Sequence, residues 1–186
     1  MTPKALRMAG WFAMSSAVLS LPLIYLSLRF QGRLDLEARI LQSLLQVFGT
    51  IIYVFVMTLL KRFLNNKFSF RETDDSIDRM IRINITIGFF AVVSLYVRSL
   101  EASIGIFIIV ATVAYGVLEI IFGMKLLKLP DDLRGLLKPY CYVNIATGIF
   151  LSSIVMVLLG IVTGAVSDVM LGTIFFQAAK RVNAHM

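Results

Sequence analysis

Ile104 to Leu127 reads IGIFIIVATVAYGVLEIIFGMKLL, an apolar run with one carboxylate, Glu119, in its interior. At ~1.5 Å per residue, a helix of that length crosses a hydrocarbon core ~30 Å thick. A carboxylate at that depth costs at least ~2.5 kcal/mol unless it is paired or hydrated. The rest of the chain must therefore build a bundle that shelters Glu119.

Composition agrees with a lipid environment. Of 186 residues, 59% are hydrophobic and 16% charged, and mean hydropathy is +0.87. Soluble domains carry ~25% charged residues. The expected class is all-α, a polytopic membrane helix bundle forming a single domain over residues 1–186. The net charge of +7 does not imply a nucleic-acid partner, because the basic residues punctuate apolar runs. That pattern suits loops facing anionic lipid. One cysteine, Cys141, excludes an internal disulfide, and one histidine, His185, excludes a His-rich metal site. No cofactor is implied. Lys4 and Arg7 precede the first apolar run as in a signal peptide, but the run is too long for one and no Ala-x-Ala site follows, so a retained helix is expected.

Six spans are expected, at about 9–28, 40–60, 81–97, 104–127, 141–162 and 167–182. Asn65-Asn66 reads as the stop of the second. Pro130 and Pro139 bracket a short amphipathic piece expected at the interface. The apolar run from Tyr140 to Ala179 is too long for one crossing and must fold back, with 160–168 (GIVTGAVSD) as the expected turn. With this layout, 14 of the 18 Lys and Arg fall on one side: Lys4 and Arg7, six within 61–82, four within 125–138, and Lys180 and Arg181. Arg29, Arg33, Arg39 and Arg98 fall on the other. The asymmetry places both termini in the cytoplasm of a cell in whose inner membrane the chain sits.

The spans repeat in pairs. Outgoing spans carry Gly10-Trp11-Phe12, Gly88-Phe89-Phe90 preceded by Asn84, and Gly148-Ile149-Phe150 preceded by Asn144. Returning spans carry Phe48-Gly49-Thr50, Tyr115-Gly116-Val117 and Leu171-Gly172-Thr173. These read as three tandem αα-hairpin repeats, the alternative being chance matching of short apolar strings. Tandem membrane repeats place their site near the repeat interface.

Glu119 heads the candidate site. At 100° per residue it shares a helix face with Gly105, Thr112, Gly116 and Gly123, a small-residue face that suits close packing. Asn84, Asn144, Thr147 and Tyr115 are the polar groups expected around it, together with Thr112, as an ion or substrate site. Asp168 is assigned to the turn, so Glu119 stands alone among the spans. The structural alternative for Glu119 is a hydrogen bond to Thr147 or to a carbonyl, and for the asparagines capping. Gln42 and Gln46 suit an outer vestibule. Trp11, Tyr96, Tyr140 and Tyr142 read as interfacial anchors. Ala9, Ala13 and Ala17 form a stripe that packs either within the bundle or on a partner helix. Catalytic motifs are absent, there being no Gly-x-Ser-x-Gly, no His-Glu-x-x-His and no glycine-rich phosphate loop, so a non-enzyme is expected.

Transport or binding of a small solute through a protonatable Glu119 is the function these residues suit. A non-transporting scaffold or assembly protein is the alternative. Size, six spans, cytoplasmic termini and the alanine stripe together resemble the substrate-binding subunits of energy-coupling-factor vitamin transporters. That resemblance implies a bound small molecule.

Overall fold

The computed structural model describes residues 2–30 and 35–184. Arg33 and His185, both used above, lie outside the described residues. Six α-helices follow one another: α1 (Pro3–Phe30), α2 (Leu36–Phe68), α3 (Asp74–Tyr96), α4 (Glu101–Leu126), α5 (Leu137–Ser152) and α6 (Val157–Ala184). Short 3-10 turns at Arg98–Leu100 and Leu133–Gly135 precede α4 and α5. No strand occurs among the described residues.

Each helix packs mainly on its neighbours in sequence, and α6 closes back on α1. The result is a closed ring of antiparallel helices. Four of them, α2, α3, α4 and α6, are long and apolar enough to cross a membrane. α5, at 16 residues, is ~24 Å long and shorter than the hydrocarbon core. Large apolar side chains such as Trp11, Leu44, Phe89 and Ile106 face outward, as a lipid-facing surface requires.

The seams between consecutive hairpins are built on glycine. A Cβ at Gly10 on α1 would meet the Gly172 carbonyl oxygen of α6 at 3.1 Å. A Cβ at Gly116 on α4 would meet the Gly148 carbonyl oxygen of α5 at 2.6 Å. At the α2–α3 seam, a Cβ at Gly88 would meet the Thr50 hydroxyl at 2.7 Å, one residue beyond Gly49. Without a side chain, backbones approach closely and dispersion contacts accumulate along the crossing.

The buried core is thickest at the end where α2 meets α3 and α4 meets α5. Phe63 packs edge-on against Phe175 at 5.9 Å, beside Leu64, Ile77, Phe122 and Leu126, all buried. Polar contacts tie the same end together. Lys61 bridges to Asp78 at 2.7 Å, Lys125 donates to the Ser76 hydroxyl at 3.1 Å, and Arg181 lies 3.5 Å from Asp131.

Several sequence expectations are corrected here. α2 does not stop at Asn65-Asn66 but runs to Phe68 and ends on Ser69 in the left-handed region. The Asn65 amide, instead of breaking the helix, donates to both Asp74 carboxylate oxygens at 3.0 and 3.1 Å. The segment after Pro130 turns Leu133 and Leu137 into the core. The chain turns back at 153–156 rather than at 160–168. There the Ser153 hydroxyl donates to the Phe150 carbonyl at 2.9 Å and accepts from the Met156 amide at 3.2 Å, a serine-closed turn. Gly160 and Gly164 are helical, and a Cβ at Gly160 would strike Leu151 at 2.7 Å. The last helix is therefore long and the fifth short, the reverse of the expected order. Ala9, Ala13 and Ala17 are buried within the ring, so the stripe is a packing face of the chain itself.

Candidate functional site

The ring surrounds a partly open cavity of about 320 Å³ to which all six helices contribute. Ser16 and Ser20 reach it from α1, Tyr53 and Met57 from α2, Met80 and Asn84 from α3. Tyr115, Glu119 and Phe122 line it from α4, Tyr140, Asn144 and Thr147 from α5, and Gly160, Gly164, Ser167 and Asp168 from α6. Along α4 the spacing of Tyr115, Glu119 and Phe122 is one helix face. Along α6 Gly164 leaves room, since a Cβ there would meet only Thr147, at 3.7 Å.

Glu119 is 6% exposed, and its Oε2 atom is buried without a hydrogen-bond partner. It stands seven residues before the end of α4, ~10 Å from the basic end of the ring. Asn84 Oδ1 is likewise buried and unpartnered. Tyr115, Asn144 and Thr147 are occupied. The Tyr115 hydroxyl donates to the Tyr53 hydroxyl at 2.9 Å, and their rings stand edge-to-face with centroids 6.2 Å apart. Asn144 Nδ2 donates to the Tyr140 carbonyl at 2.8 Å, and the Thr147 hydroxyl to the Val143 carbonyl at 2.9 Å. Oε2 of Glu119 makes neither bond of the structural alternative, to Thr147 or to a backbone carbonyl.

Five of the six sequence candidates, Glu119, Asn84, Asn144, Thr147 and Tyr115, come together in this lining. Thr112 does not. Its hydroxyl returns to the Ile108 carbonyl at 2.8 Å, one turn back on α4, a bond that side chains of its type make readily within helices. Gly116 and Gly123 pack against α5, whereas Gly105 meets no neighbour. Glu119 thus sits beside the tight α4–α5 seam rather than in it. Gln46 lies at the α2–α3 crossing beside Gly88 and does not line the cavity.

The expectation that Glu119 stands alone is corrected. Asp168 lines the same cavity, and the two carboxylates act on each other electrostatically. The Ser16 hydroxyl is within hydrogen-bonding reach of Asp168. Placing the turn at 153–156 carries Asp168 from a loop into mid-helix. The signal for this was present in the sequence: Gly160, Gly164, Ser167, Asp168 and Leu171 recur on one helical face. Tyr140 is also corrected, from an interfacial anchor to a buried side chain of the lining; Trp11, Tyr96 and Tyr142 are exposed.

No Lys, Arg or His lines the cavity among the described residues. Nor do they include a group of three or more His, Cys, Asp or Glu placed to hold a metal ion. Comparison with family models, curated proteins and solved structures gives no match for this chain.

Proposed function

We propose that the chain is a multi-pass protein of the inner membrane that binds or moves a small solute through its central cavity, with Glu119 as the solute-contacting or protonatable group. The observation that carries this reading is an unpartnered, buried carboxylate oxygen on a residue that lines a cavity shared by every helix. Ionisable groups held within a membrane are costly, and they mark solute or proton paths by default. A cavity of this size falls at the small end of ligand pockets, ~300–1,000 Å³. A scaffold has no need of such a cavity or of an unsatisfied acid at its centre, so a binding function is the better-supported class. The reading is non-enzymatic, because orphaned acceptors call for a donor to be held rather than for a bond to be broken.

In this proposal the ring spans the membrane six times as three tandem hairpins, α1–α2, α3–α4 and α5–α6, with both termini in the cytoplasm. The seams α6–α1, α2–α3 and α4–α5 each meet at the repeated glycine or its neighbour. Met80 and Asn84 on α3 occupy the same register as Tyr140 and Asn144 on α5, and all four line the cavity. Both facts support the repeat. The functional test is Glu119→Gln, which keeps shape and removes charge. Loss of binding or uptake of the solute is expected, whereas unchanged activity across every solute the wild type handles would overturn the role given to Glu119.

A further inference from the structure

If the central cavity is the solute site proposed above, its polar lining also selects the chemistry of the solute. The buried polar atoms of the cavity lining that lack a partner are both acceptors. Several of its donors are committed: the Tyr115 hydroxyl to Tyr53, Asn144 Nδ2 to Tyr140, the Thr147 hydroxyl to Val143 and the Ser20 hydroxyl to Ala17. Two acceptors, Glu119 Oε2 and Asn84 Oδ1, are buried without a partner. Asp168 adds a second carboxylate, and no basic side chain among the described residues offsets either. Acceptors removed from water are costly until a donor reaches them, and an unpaired carboxylate most of all.

We propose that the cavity binds a small organic cation bearing N–H donors, a primary ammonium or a guanidinium. Glu119 Oε2 takes one N–H in a charge-assisted bond, Asn84 Oδ1 takes a second, and Asp168 balances the remaining charge. The aromatic rings of Tyr53, Tyr115 and Phe122 offer apolar faces to the carbon skeleton, with cation–π attraction where the charge passes over them. A divalent metal is disfavoured by ligand count, since hard cations take six or more oxygens and two carboxylates do not supply them.

The test is thermal unfolding of the purified chain in nanodiscs of uncharged lipid. Four probes are compared: agmatine, tetramethylammonium, glutamate and glucose. Agmatine is expected to raise the midpoint in a saturable way, tetramethylammonium (charged but without N–H) to do so less, and glutamate and glucose not at all. Glu119→Gln should weaken agmatine binding at least about tenfold and Asn84→Leu several-fold, the scale of a lost charge-assisted and a lost neutral hydrogen bond. Should Glu119→Gln itself lower the unliganded midpoint, Asn84→Leu and the probe ranking in the wild type decide. Glutamate or glucose stabilising the wild type in place of agmatine keeps the solute site and removes the cation. Agmatine binding left intact in both variants removes the assigned contacts and with them this inference. Stabilisation by none of the four probes overturns both the cation and the solute site.

Discussion

A glycine in a packed helix is best judged by what a methyl group in its place would touch. At Gly148 the added carbon would strike the Gly116 carbonyl and the Ile120 backbone nitrogen, the latter at 2.9 Å. Neither can move without separating α4 from α5. Gly148→Val should therefore destabilise the chain by about 1–3 kcal/mol, the usual cost of overpacking. Gly49, which holds in α2 the place of Gly116 in α4, has nothing within 4 Å. Gly49→Ala should raise stability by about 0.5–1 kcal/mol through helix propensity alone. Denaturant unfolding in detergent of the two variants side by side checks both signs. The same contrast shows what a lone sequence conveys at this scale. Glu119, Asn84 and Asn144 were legible because a polar side chain inside an apolar run has few places to go. Asp168 was not, because two nearby glycines read as a turn, and whether a glycine bends a chain or makes room for a neighbour depends on what lies opposite. Thr112 failed for a different reason, since a hydroxyl that can bond its own helix gives no sign of facing a partner.

The helices themselves were largely visible as apolar runs, and their ends much less so. α2 outlasts Asn65-Asn66 by two residues because the Asn65 amide finds the Asp74 carboxylate across the loop, a tertiary contact with no local signature. The turn between α5 and α6 rests on a serine hydroxyl and on Ile154, whose φ is 58°. A β-branched residue in the left-handed region carries strain, of order 1–3 kcal/mol. Ile154→Gly should relieve part of it and stabilise the chain by about 1 kcal/mol. A thermal midpoint lower than wild type would show that the isoleucine side chain contributes more than its backbone costs. Ser69 at the end of α2 has a φ of 52°; glycine commonly takes such a position.

At the scale of the molecule, the charge asymmetry of the sequence and the antiparallel ring make one joint prediction. The loops at 69–73 and 127–136 share the end that carries most of the basic residues, and the 153–156 turn lies at the other. Val155 is 93% exposed. The native Cys141 is buried, so it should give little background to a thiol reagent. In intact cells a membrane-impermeant maleimide should label Val155→Cys and leave Asp132→Cys untouched until the membrane is permeabilised. Equal labelling of both before permeabilisation would refute the proposed topology. Ring closure was the feature least legible beforehand. That α1 meets α6 depends on Gly10 and Gly172, which are 162 positions apart in sequence, finding one another.

That closure has a consequence for connectivity. The basic ends of α1 and α6 lie on the same side of the ring, next to each other, and the seam between them is made like the seam between α4 and α5. The covalent break in the circle therefore occupies a position that any of the three junctions can fill. A permuted gene that links the last helix to the first through a short flexible tether, and opens the chain between α2 and α3 instead, should still assemble the same circle.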